Sequence, residues 1–342
     1  MKKILLLIAL TISISTAQAN DLFEFLESGG QQAKEAPADT AELITLEPKE
    51  SEMYPKVSPD GNYLLTLTGK SKNYWISRRA IQNGDPLNTV TDDLAALGTV
   101  AWFGNNVSFL SSRTGSLGLW QKPADGEGLM RRAKELTGKL KDITLLKDGS
   151  MIATRLIMHG HDKHMQKRHL DNFNNWEIAG THGYIVHITA DGSEKRLSEG
   201  FQPAISPDGK RIVFSMPIGR SIHLFIMDID GKNLAELSDV RSIDVQPTWS
   251  PNGQWIVFTS NRSHADMRGG KKNQWDIWAV TYEGKQLTQL TFNRARDGAP
   301  SVANDGSVYF HSDRKINKAL MAVHQVSGHV ERFHIWKVKL PQ

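Results

Sequence analysis

The feature that most constrains the fold is a phrase that occurs twice almost unchanged. Residues 202–215 read QPAISPDGKRIVFS, and residues 246–259 read QPTWSPNGQWIVFT. In each copy two short runs of β-branched and aromatic residues flank a turn. Proline sets φ at the first corner, Asp or Asn tolerates the second, and glycine takes the left-handed position. The turns at Asp208 and Asn252 lie 44 residues apart, and a period of that length predicts a repeat protein.

Weaker copies of the phrase extend the repeat over the whole chain. The turn residues of the six copies are Asp60, Asn105, Asp148, Asp208, Asn252 and Asp305. A third strand follows each hairpin, and in five copies a short fourth strand ends in an apolar residue and a hydroxyl residue. The sixth copy lacks a fourth strand, whereas a lone strand at residues 42–46 precedes the first copy.

This arrangement predicts an all-β fold, a six-bladed β-propeller of four-stranded blades, because a ring leaves no open end. The N-terminal strand would complete the last blade. The predicted blades are residues 54–91, 98–137, 141–198, 201–238, 245–291, and 297–340 together with 42–46. Residues 42–342 would then form a single propeller domain.

The N-terminus has the pattern of an export signal. Lys2 and Lys3 precede a mostly apolar stretch at residues 4–14, and Ala17-Gln18-Ala19 is a small-x-small cleavage pattern. The apolar stretch is too short to span a membrane, and without cysteine the chain has no lipidation site or disulfide. We therefore predict a signal peptide over residues 1–19, cleavage after Ala19, a flexible lead-in over residues 20–41, and a periplasmic location. An uncleaved anchor is the alternative.

Composition limits the partners. The chain has 342 residues, 39% of them hydrophobic, and 41 basic residues against 37 acidic ones give a formal net charge of +4. That excess is small, and no basic run carries interleaved aromatic residues. We expect no nucleic-acid partner.

The repeats resemble those of TolB-like six-bladed propellers. The resemblance is carried by the phrase P-x-x-S-P-D-G-x-x-I-V-F-x-S, by the third strand with Asp276-Ile277-Trp278 and by the fourth strand with Gln289-Leu290-Thr291. The resemblance covers about residues 42–340 and is strongest in blades four and five. It implies a non-catalytic protein of the Gram-negative envelope. TolB itself carries an α/β domain ahead of its propeller, and residues 20–41 are too few to match it. A WD-type propeller fits less well. Repeats of that type combine a Gly-His and a Trp-Asp dipeptide, and no set of Gly-His dipeptides accompanies Trp275-Asp276.

Catalytic chemistry has few candidates. A hydrolase of the prolyl oligopeptidase type needs a Gly-x-Ser-x-Gly elbow, which is absent from the sequence. The long gap between the third and fourth turns contains four closely spaced histidines, which are His159, His161, His164 and His169. Imidazoles in that number could ligate Zn²⁺ or Ni²⁺. The alternative is a solvated loop, because lysine and arginine side chains lie among the histidines.

An arginine recurs two residues after the end of a second strand, at Arg113, Arg262 and Arg314. These arginines are predicted to lie at similar positions on one face, either paired within the fold or binding an acidic peptide or carboxylate of a partner. Trp176, in the same insertion as the histidines, is a further candidate for an exposed partner contact.

Together these observations predict an exported, non-catalytic propeller. It would bind a protein or peptide of the cell envelope through one face and the central channel, as a monomer and without a cofactor. Two alternatives stay open at this point. One is a metal-dependent propeller enzyme of the polysaccharide lyase or hydrolase type that uses the four histidines. The other is a binder of a glycan or small ligand.

Overall fold

The computed structural model describes residues 40–70, 73–92, 100–158, 181–238, 241–264 and 274–341. Over these ranges the strands form six four-stranded antiparallel sheets, which confirms the predicted six-bladed propeller. All six blades belong to one compact unit, Asp39–Gln342. One short α-helix, α1 (Lys318–Val323), and a 3₁₀ turn, Arg262–His264, lie between strands.

The strands of the first three blades are as follows. Blade one contains β2 (Ser51–Val57), β3 (Tyr63–Lys70), β4 (Asn73–Ala80) and β5 (Pro86–Thr91). Blade two contains β6 (Val100–Phe103), β7 (Asn106–Ser111), β8 (Gly118–Pro123) and β9 (Arg131–Glu135). Blade three contains β10 (Lys139–Leu145), β11 (Met151–Met158), β12 (Thr181–Ile188) and β13 (Glu194–Glu199).

The remaining three blades follow the same order. Blade four contains β14 (Phe201–Ile205), β15 (Arg211–Ile218), β16 (Ser221–Asp228) and β17 (Ala235–Glu236). Blade five contains β18 (Asp244–Trp249), β19 (Trp255–Ser260), β20 (Asp276–Thr281) and β21 (Leu287–Gln289). Blade six contains β22 (Asp297–Val302), β23 (Ser307–Ser312), β24 (His334–Lys339) and β1 (Glu42–Leu43).

The N-terminal strand closes the ring as predicted. Glu42 and Leu43 pair with Lys337 and Trp336 of β24, so that a strand from the start of the chain completes the blade formed by its end. Backbone bonding continues past β1, because Ile44 N–H donates to the carbonyl of Ile335 at 2.8 Å. First strands of neighbouring blades contact one another from β6 through to β22 and β2, which places them around the central channel.

The repeated turn holds itself together through its own side chains. In blade four the Ser206 hydroxyl donates to Asp208 at 2.6 Å and accepts the N–H of Arg211 at 2.9 Å. Gly209 has φ of +74° and its N–H donates to the Ser206 carbonyl, so glycine supplies the left-handed corner. Because all of these contacts are between residues close in sequence, the turn can be predicted from the sequence.

Each described first strand of blades one and three to six carries a β-bulge. At the bulge one residue has a left-handed backbone: Tyr54, Asp142, Gln202, Gln246 or Ala299. We call these the bulge residues. A bulge leaves a backbone N–H outside the sheet ladder, and that donor needs an acceptor from elsewhere.

In four blades the preceding blade provides that acceptor. The N–H of Gln202 donates to Thr154, that of Gln246 to Gln202 Oε1, that of Ala299 to Gln246 Oε1, and that of Tyr54 to His311 Nδ1, over 2.7–3.2 Å. We call these four hydrogen bonds the inner belt. Burial lowers the pKa of His311 to about 3, which keeps its imidazole neutral and able to accept. The belt therefore links blades three, four, five, six and one.

Large side chains fill the spaces between blades. Trp120, Trp249, Trp255, Trp275 and Trp336 are buried. Some also bond across the gap, since Trp249 Nε1–H donates to the Ala204 carbonyl of blade four at 3.1 Å. These contacts make the blades a continuous core and leave ligand recognition to the two faces of the ring and its channel.

Candidate functional site

The two faces of the ring are built from different connections. Because strands alternate in direction, all connections from first to second and from third to fourth strands leave at one face, which we call the turn face. All connections from second to third strands, and from each fourth strand to the next first strand, lie at the other, which we call the loop face. The named arginines after second strands therefore belong to the loop face.

Variation in the repeat is concentrated on the loop face. First-to-second connections have two to five residues and third-to-fourth connections have five to seven. Second-to-third connections range from two residues in blades one and four to 15, 21 and 22 residues in blades five, six and three. Uniform turns serve the fold, whereas long and unequal loops on a rigid scaffold are where binding residues tend to occur. The loop face is the candidate functional site.

Arg262 is held by a buried carboxylate of its own blade. Its Nη2 lies 2.5 Å from Oδ2 of Asp244, the first residue of β18, and the two side chains are 9% and 0% exposed. The guanidinium also lies 5.1 Å from the ring centroids of Phe258 and Trp278. An Arg between two ring faces and paired with a carboxylate is a strongly positioned group.

Arg314 repeats this geometry in blade six. Its Nη2 lies 2.7 Å from Oδ2 of Asp297, the first residue of β22, and its guanidinium lies 5.2 and 5.0 Å from the Phe310 and Trp336 rings. Burial raises the pKa of Asp297 above its ordinary value, although Arg314 acts to lower it. Next to this pair, Asp313 receives the N–H of Arg296 at 2.7 Å.

Arg113 of blade two is the exposed member of the three. Its Nη1 donates to Met130 Sδ at 2.5 Å, and its guanidinium lies 5.3 Å from the Trp120 ring. Arg262 and Arg314 thus each form a buried ion pair, and Arg113 contacts Met130 and the Trp120 ring. Partner binding by the three stays a prediction.

Blade one replaces this ion pair with a different set. Glu52, at the position of Asp244 and Asp297, is fully buried and lies 2.8 Å from Arg79 and 3.2 Å from His334. Burial acts to raise the pKa of Glu52, but the His334 hydrogen bond and the Arg79 guanidinium outweigh it and lower the pKa below its ordinary value. This cluster joins β2 and β4 to β24, across the closure between blades six and one.

Asp276 is a second buried carboxyl at the junction of blades five and six. Its oxygens accept hydrogen bonds from Ser263 at 2.7 Å and from Gln274 at 3.1 Å, residues at the two ends of the loop between β19 and β20. Burial raises the pKa of Asp276 to about 7 against those hydrogen bonds, and the nearby Asp297 raises it further. The carboxyl fastens that loop to the scaffold.

Sequence reasoning found the arginines but missed these buried acids. Asp244, Asp297 and Glu52 each lie two positions before the bulge residue of their blade. The signal available in the sequence was an acidic residue two positions before the start of the repeated phrase. It was missed because an acid at the start of a strand ordinarily indicates exposure, and only the three-dimensional arrangement shows its arginine partner.

The predicted metal ligands and the aromatic contact in blade three lie outside the described residues. His159, His161, His164, His169 and Trp176 all fall between β11 and β12, in residues 159–180. Within the ranges that the structure describes, no group of three or more histidine, aspartate or glutamate side chains is arranged to hold a metal ion. In those same ranges no helix has the length and apolar composition needed to cross a membrane.

Comparison with known proteins agrees with the fold. A family model described as the TolB beta propeller domain (PD40) matches residues 184–266, the part of the chain with the two strongest repeats. The Tol-Pal system protein TolB of Francisella tularensis subsp. tularensis (strain WY96-3418) is 32% identical over 138 residues. That match covers 40% of this chain but 29% of the relative, so the chain spans under a third of that TolB.

Solved structures extend the likeness over most of the ring. TolB from Acinetobacter baumannii superposes with a TM-score of 0.53 at 16% identity, covering 86% of this chain and 64% of that one. An oligogalacturonate lyase from Vibrio parahaemolyticus superposes with a TM-score of 0.51 at 12% identity, covering 89% and 95%. At such low identity these likenesses show the fold alone, and it is the fold of six-bladed propellers. The described residues thus form a six-bladed propeller, and its two strongest repeats are similar to the TolB beta propeller domain.

Proposed function

We propose that this protein is an exported, non-catalytic binding propeller of the cell envelope. Its loop face, together with the adjoining mouth of the central channel, would bind a protein or peptide partner. Export would follow cleavage of residues 1–19 after Ala19, and the propeller would act in the periplasm as a monomer without a cofactor.

The observation that carries the proposal is the contrast between the two faces. The inner belt, the uniform turns and the buried ion pairs fix the ring and the starts of its first strands. Onto that rigid frame the loop face adds connections of up to 22 residues. Rigid elements that present variable loops are a general design for recognition, because the loops can differ without cost to the core.

The relatives favour a protein partner in the envelope. Sequence matches include Tol-Pal system proteins named TolB, and we extend that setting to this chain as a proposal. Among the predicted contact residues, Arg113 is the exposed guanidinium and would reach a partner directly. Arg262 and Arg314 would contribute at their exposed edges while their ion pairs hold the surface in shape.

Site-specific photo-cross-linking in the native cell tests this proposal. A photoreactive residue at Ser112 or Lys315, both exposed on the loop face, should capture an envelope protein. The same residue at Lys147 or Lys210, both exposed on the turn face, is the matched control and should capture much less. Cross-linked bands are then identified by mass spectrometry.

Three results would contradict the proposal. Equal capture from both faces would remove the role given to the loop face. Failure to capture any protein, together with binding or cleavage of an oligosaccharide by the purified chain, would favour a glycan-binding or lyase function instead. A stoichiometric metal in protein purified without an affinity tag, lost on His161→Ala, would point to the metal-dependent enzyme.

A further inference from the structure

Three consecutive junctions between blades are each held by a backbone hydrogen bond. Each bond joins the start of a first strand, or the segment leading into it, to the start of the preceding blade's third strand or the residue just before it, and the third strand is the donor only at the first of the three junctions. The bonds are Ile222 N–H to the Ser242 carbonyl at 3.1 Å, Asp297 N–H to the Trp275 carbonyl at 2.9 Å, and Glu52 N–H to the Phe333 carbonyl at 2.8 Å. The junctions join blade four to five, five to six, and six to one.

Each of these junctions carries a basic residue at the same place. Counting back five positions from the bulge residues Gln246, Ala299 and Tyr54 gives Arg241, Arg294 and Lys49. We call these three residues the basic arc. The corresponding residues of blades three and four, Thr137 and Leu197, are uncharged, so the basic residues occupy this position in three adjacent blades.

The basic arc is exposed, and the described residues provide no partner for its charges. All three side chains are exposed on the loop face. Within the described ranges none of them forms an ion pair or a side-chain hydrogen bond. This contrasts with Arg262 and Arg314, whose charges are paired inside the blades.

The buried acids close to the basic arc are already partnered. Asp244 and Asp297 pair with the arginines of their own blades, and Glu52 pairs with Arg79. These carboxylates therefore cannot turn outward to neutralise the arc without leaving an arginine unpaired inside the protein, which is strongly unfavourable. These three buried acids therefore do not neutralise the arc.

We propose that the basic arc binds an acidic segment of the protein partner, rich in Asp and Glu side chains. This inference rests on the proposed function and specifies the chemistry of its partner. Two arginines and a lysine at equivalent places in adjacent blades present donors at regular intervals, and an arginine can bind a carboxylate with two parallel hydrogen bonds. Exposed charges of one sign also speed association with an oppositely charged partner.

The surroundings favour a peptide over a glycan. The aromatic rings at these junctions, Trp275 and Phe333, are 0% and 5% exposed. In the described part of the junctions the surface thus offers charged donors rather than ring faces on which a sugar could stack. An extended acidic peptide needs only the donors.

The inference is tested by measuring how the full purified chain binds a fluorescein-labelled peptide of alternating Glu and Ser. Fluorescence anisotropy of the peptide reports the binding. The arc variant Lys49→Glu/Arg241→Glu/Arg294→Glu is compared with the control variant Lys147→Glu/Lys210→Glu/Lys285→Glu. The control makes the same change in net charge at exposed lysines of the turn face. Both sets are exposed, and matching thermal unfolding of the three proteins checks that the fold is kept.

We expect the arc variant to bind the peptide at least about tenfold more weakly, because each exposed charge contact contributes roughly a few-fold and reversal adds repulsion. The control should change by less than about twofold, and binding by the natural chain should weaken as salt rises. Equal losses in the two variants, or no binding by the natural chain, would overturn the inference. So would arc-dependent binding of polygalacturonate in place of the peptide.

The proposed function can be judged separately. If the natural chain and the arc variant capture an envelope protein equally well in loop-face cross-linking, the protein-binding role stands. The inference that the arc binds an acidic segment of that partner is then wrong. If neither captures a protein, the proposed function itself fails.

Discussion

Asp276 gives the sharpest prediction for stability. The carboxyl is buried at the start of β20, and its pKa is raised to about 7 from an ordinary value of 3.8, with burial as the main cause. The folded protein therefore binds this proton more tightly than the unfolded chain does. We predict that Asp276→Asn gains stability relative to the natural protein as pH rises from 5 to 8.

The sign and size follow from proton linkage. Where the folded state holds more protons, the free energy of unfolding falls as pH rises, and here the window runs from about 3.8 to about 7. One pKa unit corresponds to about 1.4 kcal/mol, so this group alone would lower the stability of the natural protein by about 2.5 kcal/mol between pH 5 and pH 8. Asparagine does not titrate and lacks this contribution. Its altered hydrogen bonds to Ser263 and Gln274 add an offset that does not depend on pH.

Urea unfolding followed by tryptophan fluorescence, repeated at several pH values, measures the difference between the two proteins. The difference should grow in favour of Asp276→Asn from pH 5 to pH 8. Asp208→Asn is the control, because hydrogen bonds from Ser206 and Lys210 lower the pKa of that exposed turn carboxyl and its titration is complete below pH 5. A difference for Asp276→Asn that is as flat as the control would refute the reasoning.

Three further substitutions test contacts inside and between blades, each by the free energy of urea unfolding at neutral pH. Arg314→Met leaves the buried Asp297 carboxylate unpaired and should cost about 3–5 kcal/mol, part of which Asp297→Asn should restore in the double variant. A loss below about 1 kcal/mol would contradict that assignment. Gln246→Ala removes the acceptor of the Ala299 N–H and should cost about 1–3 kcal/mol, more than Gln246→Glu, which keeps an acceptor oxygen. Thr45→Val removes the hydroxyl that accepts a backbone hydrogen bond from β24 at 3.1 Å, and should cost about 1–3 kcal/mol if ring closure stabilises the fold.

The fold was predictable because its determinants are local. In blade four the serine, aspartate and glycine of the turn bond one another within five residues, and the hydroxyl residue at the end of a fourth strand bonds the neighbouring third strand of the same blade. In blade five, for example, the Thr291 hydroxyl accepts the N–H of Ile277 where the fourth strand leaves the sheet. Repetition of such local patterns gave the number of blades, and the missing fourth strand gave the closure.

The site was predictable only in part, because its determinants are not local. The recurrence of Arg262 and Arg314 is visible in the sequence, whereas their carboxylate partners lie 18 and 17 residues earlier on another strand. The raised pKa of Asp276 depends on burial by two blades, for which the sequence carries no signal. The predicted histidine site cannot be compared in the same way, since it lies outside the described residues.

The bulge residues explain how a recognition surface can vary on a repeat that scarcely varies. Each bulge in the inner belt is fixed by a side chain of the preceding blade, so the segment just ahead of it has a set position on the ring. At the junctions into blades five, six and one, the chain five positions earlier is exposed, and a residue there can change while the packing inside the blades stays the same. Lys49, Arg241 and Arg294 occupy that position, Thr137 is the exposed counterpart in blade three, and Leu197, the counterpart in blade four, lies within β13 and packs on the core. Specificity for a partner can therefore reside in placed side chains at the blade junctions, in addition to the long loops.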